Sequence, residues 1–222
     1  MSNRSSRFVS LGVCALLAAC HSAPLRPGVP APVESTEAPV AANADAAPQP
    51  DDTTPIPERA AQQYAQALQL MKSGRETDAE LEFKQLAAGY PQYSGPQLNL
   101  GLIYLHASRF PEAEAAFEKA LQLKPQSAMA GNELGIALRS LGKFQEAEAA
   151  YQHAIAAQPD YAPAHLNLGV LYDLYLAEPQ KALDEYERYL AIVGENKQVA
   201  GWLVELRKRV GAPPPAAKKE PA

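Results

Sequence analysis

Few side chains in this 222-residue chain could do covalent or metal chemistry: two cysteines, Cys14 and Cys20, and four histidines, His21, His106, His153 and His165. A zinc site needs imidazole and thiolate ligands at fixed spacing. These histidines stand far apart, and no cysteine follows residue 20 to join them. The glutamates of "FPEAEAAFEKA" and "FQEAEAAYQHA" are unpersuasive as an acid–base pair, because helices that repeat place them on a solvated outer face by default. No Gly-x-Ser-x-Gly elbow, His-Glu-x-x-His or phosphate-cradling glycine loop occurs. Catalysis is therefore not expected, and neither a metal ion nor a cofactor is implied. A small-ligand site around His106 is the weaker alternative. What needs explaining is the thiol of Cys20.

Cys20 closes a run that begins with Arg4 and Arg7, has no charged residue from Phe8 to Ala19, and then breaks into polar, proline-rich sequence. That is the layout of an export signal. The run is too short for a spanning helix, which needs about 20 apolar residues, and no Ala-x-Ala cleavage triplet lies between Ala15 and Pro30. Leu17-Ala18-Ala19-Cys20 instead resembles the lipobox of bacterial lipoproteins. The resemblance implies removal of residues 1–19, a diacylglycerol on the Cys20 thiol and an acyl chain such as palmitate on its new amine. Several acyl chains together make such an anchor effectively permanent. Residue 21 is His rather than the Asp that in this family favours inner-membrane retention, so the resemblance implies the outer membrane and its periplasmic face. Losing Arg4 and Arg7 takes the formal charge from −5 to −7, and no basic stripe of the kind nucleic acid requires is present.

Residues 20–57 follow as the modified cysteine and a proline-, alanine- and acid-rich segment without aromatic residues or apolar periodicity. Such a composition cannot bury enough surface to offset the entropy of ordering. It reads as a tether, with a reach on the order of 100 Å if drawn out as polyproline II. The tail, residues 211–222, reads the same way.

Between these ends the sequence repeats with a period of 34: Pro91, Pro125 and Pro159; Phe83, Phe117 and Tyr151; Gly101, Gly135 and Gly169; Ala79, Ala113 and Ala147; Leu100, Leu134 and Leu168. Each column has a cause. Glycine in a helix costs about 1 kcal/mol relative to alanine, so close packing must repay it. The alanines leave room for the same crossing, the aromatic column fills the gap between neighbouring repeats, and proline ends each second helix. Gly74 and Gly142 supply turns inside the unit. The pattern resembles the tetratricopeptide repeat, which implies an all-α solenoid of helix hairpins. Four repeats are expected over 58–195, with units at 60–93, 94–127, 128–161 and 162 to about 195. In the first, Ala67 replaces the glycine. In the fourth, the turn "LAEPQKA" is one residue longer, which displaces Ala182 and Tyr186 and leaves the packing of that unit open. Val199, Trp202, Leu203, Leu206 and Val210 share a helical face, so 196–210 is expected to form a capping helix. Its basic last turn, Arg207-Lys208-Arg209, suits a helix C-terminus.

The resemblance further implies that the first helix of each unit lines a concave groove for a protein partner. By position in the repeat, the groove comprises Tyr64, Leu68, Met71, Leu98, Leu102, Leu105, Asn132, Ile136, Arg139, Leu166, Val170 and Asp173. Only Arg139 among them is basic, which disfavours capture of a chain-terminal carboxylate. The expected partner is a hydrophobic segment or amphipathic helix of an envelope protein. The function so implied is an outer-membrane adaptor or scaffold for an envelope machine such as a type IV pilus or secretion channel, as in pilotin-like lipoproteins of this family. The alternative is an adaptor for cell-wall enzymes or an inner-membrane energy-transducing complex.

Overall fold

The computed structural model describes residues 56–212. The anchor at Cys20, the signal segment, nearly all of the tether and most of the tail lie outside these residues.

The described residues form helices only, in four hairpins and a final helix. The hairpins are α1 (Glu58–Lys72) with α2 (Glu76–Gly89), α3 (Ser94–His106) with α4 (Phe110–Leu123), α5 (Ala128–Ser140) with α6 (Phe144–Ala157), and α7 (Ala162–Leu174) with α8 (Pro179–Val193). The final helix is α9 (Lys197–Val210). Each helix packs on its sequence neighbour, and α5 also touches both α3 and α7. None of the described helices is long and apolar enough to cross a membrane.

The glycine column is what lets the second, third and fourth hairpins close. A Cβ built on Gly101 would lie 2.4 Å from the Phe117 ring, one on Gly135 would lie 2.5 Å from Tyr151, and one on Gly169 would lie 2.6 Å from Tyr186. Those aromatic rings therefore rest on the bare backbone of their own hairpin. Phe117 and Tyr151 are fully buried and Tyr186 nearly so. The aromatic column thus acts inside each unit, where the sequence suggested a filler between units.

The inner turns share one device. Gly74, Ser108, Gly142 and Ala177 all have positive φ, at 75°, 56°, 76° and 56°. In the first three turns the next amide donates to a carbonyl five residues back: Arg75 to Leu70, Arg109 to Tyr104 and Lys143 to Leu138. This is the Schellman arrangement at a helix C-terminus. In the fourth turn the bond runs from Glu178 to Tyr172, six residues back. The longer turn therefore absorbs its extra residue, Ala182 is fully buried, and Tyr186 reaches Gly169 as its counterparts reach theirs. The last hairpin packs in the regular way. Ser108 occupies a left-handed position that the other turns of repeats one and three give to glycine, and this strains an L-residue by about 1–2 kcal/mol.

Charge pairs join successive hairpins on the second helices. Glu80 binds Arg109 at 2.9 Å, Glu114 binds Lys143 at 2.7 Å and Glu148 lies 3.8 Å from Lys181. Glu114 and Glu148 are only 18% and 23% exposed, so these glutamates of the outer helices are not simply solvated. Arg109 also stacks on the Tyr104 ring at 4.3 Å, and Lys181 sits over Tyr172 at 4.9 Å. Helix α9 buries Val199, Leu203 and Leu206 and places Trp202 5.5 Å from Tyr186. Asn196 caps its start by accepting from the amides of Gln198 and Val199. Left-handed Gly211 ends it.

Two glycine substitutions should act oppositely. Gly135→Ala forces the Tyr151 ring away and should lower stability in denaturant unfolding by about 1–3 kcal/mol. Gly201→Ala, on an open stretch of α9 with no atom near its Cβ position, should raise it by about 0.5–1 kcal/mol.

Candidate functional site

The first helices α3, α5 and α7 touch one another across hairpins, whereas the second helices α4, α6 and α8 stand further apart. An array built this way curves with its first helices inside. Where α4 and α6 diverge, an open cleft of about 320 Å³ shows the outer face of α5 between them, lined by Leu134, Leu138, Glu114, Lys143 and His153 among others. The candidate site is the opposite, inner wall.

Three rows of side chains, each advancing by 34 residues, make up that wall. The first row is Tyr64, Leu98, Asn132 and Leu166. The first three are buried, at 2%, 2% and 1% exposure, and Leu166 is half-buried. The second row is Leu68, Leu102, Ile136 and Val170, of which the first three are half-buried and Val170 is buried. The third is Met71, Leu105, Arg139 and Asp173, in which only Arg139 is buried. Tyr64, Leu98, Asn132, Arg139 and Val170 thus form the body of the wall. The more exposed part of the wall consists of Leu68, Met71, Leu102, Leu105, Ile136, Leu166 and Asp173.

Polar groups behind this face are mostly spoken for. The Asn99 amide donates to Tyr64 Oη at 2.6 Å and to the Gly95 carbonyl at 2.9 Å. Burial pushes the Tyr64 phenol above its usual range, with the Asn99 hydrogen bond opposing it. Asn167 donates to Asn132 Oδ1 at 3.0 Å, and Asn132 donates to Glu133 Oε1 at 3.0 Å. Asp173 is held by Arg209 of α9 at 2.6 Å, which ties the end of the wall to the capping helix. Arg207 and Lys208 of the same basic turn are paired with Glu187 and Glu205. Arg139 is 7% exposed, makes no hydrogen bond through Nη1, and has the Tyr175 ring 6.0 Å away.

Among the described residues, the histidines show no shared site. His106 pairs with Glu76 at the rim, and His165 is buried between Glu185 and the Pro159 carbonyl, at 2.7 and 3.0 Å. Among the described residues no three His, Cys, Asp or Glu side chains gather in a way that could hold a metal ion.

Family models described as tetratricopeptide repeat match residues 94–160 and 132–197. The chain carries tetratricopeptide repeats. The matched tetratricopeptide segments span α3 to α8; α1 and α2 add a hairpin of the same build before them. A crystal structure of MamA is 26% identical, with 65% of this chain and 84% of that one covered at a TM-score of 0.61. The pilF structure from Pseudomonas aeruginosa is 18% identical, with 69% and 70% covered at 0.62. The first repeat domain of Spaghetti, bound to an HSP90 peptide, is 21% identical, with 54% and 94% covered at 0.51. The last two likenesses show the tetratricopeptide fold alone. No curated protein matches the chain.

Sequence reasoning missed the column one residue further along, Asn99, Glu133 and Asn167, which supplies the wall's internal hydrogen bonds. Its 34-residue spacing and polar character inside an apolar helix were the available signal. Glu133 matters most. Desolvation pushes its carboxyl from 4.5 to about 7, against the Asn132 hydrogen bond and the Arg139 charge. Between those values the folded chain holds a proton that the unfolded chain has released, so stability falls as pH rises through that window. Glu133→Gln should remove the slope, leaving the variant more stable than wild type above pH 7 by on the order of 2–3 kcal/mol. Denaturant unfolding of both forms at pH 4.5, 6 and 8 checks the sign; a gap that shrinks as pH rises would refute it.

Proposed function

We propose that this protein is a lipid-anchored adaptor at the periplasmic face of the outer membrane, holding a segment of an envelope protein against its inner wall. The observation that carries the binding half is the row of half-buried apolar side chains Leu68, Leu102 and Ile136, repeated every 34 residues and widened by Met71, Leu105 and Leu166. Residues on successive first helices at one level form a continuous apolar strip, which suits a partner helix presenting its own apolar face. The anchoring half rests on the lipobox-like Leu17-Ala18-Ala19-Cys20 behind a basic and apolar leader. The long proline-rich stretch after it gives the repeats reach away from the bilayer.

Assembly of a pilus or secretion channel is the machine this reading favours. A repeat scaffold fixed to the membrane by lipid, with an apolar peptide-binding wall and no constellation for catalysis, is suited to escorting a subunit whose membrane-facing surfaces need cover.

The two halves separate by mutation. Cys20→Ala should move the protein from the membrane to the soluble periplasmic fraction, and mass spectrometry of the wild-type N-terminal peptide should show diacylglycerol and amide-linked acyl mass. Ile136→Glu should leave fractionation unchanged and reduce recovery of a co-purifying envelope protein by at least about tenfold, as expected for a charge placed in the centre of an apolar interface. An unmodified Cys20 thiol would end the anchoring claim, and unchanged recovery with Ile136→Glu would end the groove claim.

A further inference from the structure

Arg139 is the one group on the inner wall whose chemistry the fold leaves incomplete. Its side chain is 93% removed from solvent, counting from its 7% exposure, and Nη1 has no hydrogen-bond partner. The nearby Tyr151 hydroxyl, buried and resting on Gly135, has none either. A desolvated guanidinium with incomplete hydrogen bonding is costly. The neighbours relieve it only in part. Asp173 is engaged by Arg209, Glu133 feels the Arg139 charge but accepts its hydrogen bond from Asn132, and the Tyr175 ring lies at the outer limit of a cation–π contact, 6.0 Å. Tyr151 on α6 feels both the Arg139 and the Glu133 charge, and Tyr186 on α8 feels Asp173 together with Arg139 and Arg209.

We propose that Arg139 is the specificity anchor of the inner wall, taking a side-chain carboxylate, Asp or Glu, from an otherwise apolar partner helix. The placement supports an acid within a helix rather than at a chain end. The first helices on either side of α5 carry half-buried apolar residues, Leu102 and Leu105 on α3 and Leu166 on α7. A chain that terminated at the guanidinium would find one cation where a terminal carboxylate usually needs several donors. The bound carboxylate would accept from the guanidinium in a water-poor setting, where charge-assisted hydrogen bonds are at their strongest. A partner with the right apolar face but no acid would bury an unpaired cation, so rejection of such partners is built in.

This inference rests on the adaptor reading, and its test is arranged so that the two can fail separately. The first measurement is thermal unfolding of the purified full-length chain and its Arg139→Met variant without partner. The variant should melt at the same temperature or higher, because an unpaired buried cation contributes nothing favourable to the free fold. A fall of more than about 5 °C, equivalent to loss of a real structural bond in a domain of this size, would mean that Arg139 is satisfied internally, by trapped water for example, and would overturn the proposal.

The second measurement places p-benzoylphenylalanine at Ile136 in cells and maps the crosslinked partner peptide. It should contain an Asp or Glu within one helical turn of the contact, flanked by apolar residues. Neutralising that acid to Asn or Gln should weaken binding at least about tenfold to the wild-type chain and have no further effect on the Arg139→Met variant. Equal effects on both chains, a segment without an acid, or a crosslink to a chain terminus whose extension abolishes binding would each sink the inference while leaving the adaptor reading standing. Absence of any crosslinked envelope protein would remove both.

Discussion

The fold depends on an aromatic ring lying against a helix backbone that carries no side chain. At Gly101, Gly135 and Gly169 the rings of Phe117, Tyr151 and Tyr186 occupy the space a Cβ would take. This contact sets the distance between the two helices of a hairpin and, through the buried alanines Ala113, Ala147 and Ala182 on the opposite side of the crossing, its angle. A few tenths of an ångström added here would propagate along the array, since each hairpin is the floor for the next. The glycine lowers helix propensity, so the ring must contribute more than the backbone loses.

From that spacing follows the curvature, and from the curvature the surface. Because α5 contacts both α3 and α7 while the second helices spread apart, the first helices present a joined inner wall. Joining also explains why five of the twelve expected groove residues are buried. Tyr64, Leu98, Asn132, Arg139 and Val170 belong to the buried body of the wall. Leu68, Leu102 and Ile136 are only half-buried and remain available. The outer helices are coupled differently, by cross-hairpin pairs such as Glu80–Arg109 and Glu114–Lys143. Ion pairs near a surface contribute modestly one at a time, but here each links a second helix to the start of the next hairpin's second helix.

Much of this was legible in residue types. The 34-residue columns determine the helix pairs, the prolines mark where second helices stop, and the apolar face of 197–210 announces a cap. What escaped has a physical reason in each case. The extra residue in "LAEPQKA" suggested a displaced hairpin, because sequence spacing counts residues and not the backbone path. A positive φ at Ala177 and a six-residue hydrogen-bonded turn restore the geometry. Ser108 hides a left-handed turn because its residue type argues against one. The groove list rests on helical phase along each first helix, and phase alone cannot separate a buried residue from a half-exposed one, since that depends on how closely the adjacent first helix approaches. Glu133 was overlooked for a related reason: a carboxylate's exposure, and hence its affinity for a proton, is set by the neighbours α3 and α7 and not by its own helix.

Glu133 and Arg139, six residues apart on α5, show how the centre of the wall departs from good packing. Stability alone would replace both with apolar residues. Desolvation works against the glutamate's charge, and nothing nearby completes the arginine's hydrogen bonding. Both sit on α5, beside Asn132, which accepts from Asn167, and near the Tyr151 hydroxyl, which makes no hydrogen bond. Sub-optimal groups confined to one place on an otherwise well-fitted scaffold are where binding energy is held in reserve. A ligand that completes them gains what the free fold forgoes. In the binding mode we propose, the charged centre and the apolar ridges are parts of one device: the ridges supply area, and Arg139 decides which apolar surface is accepted.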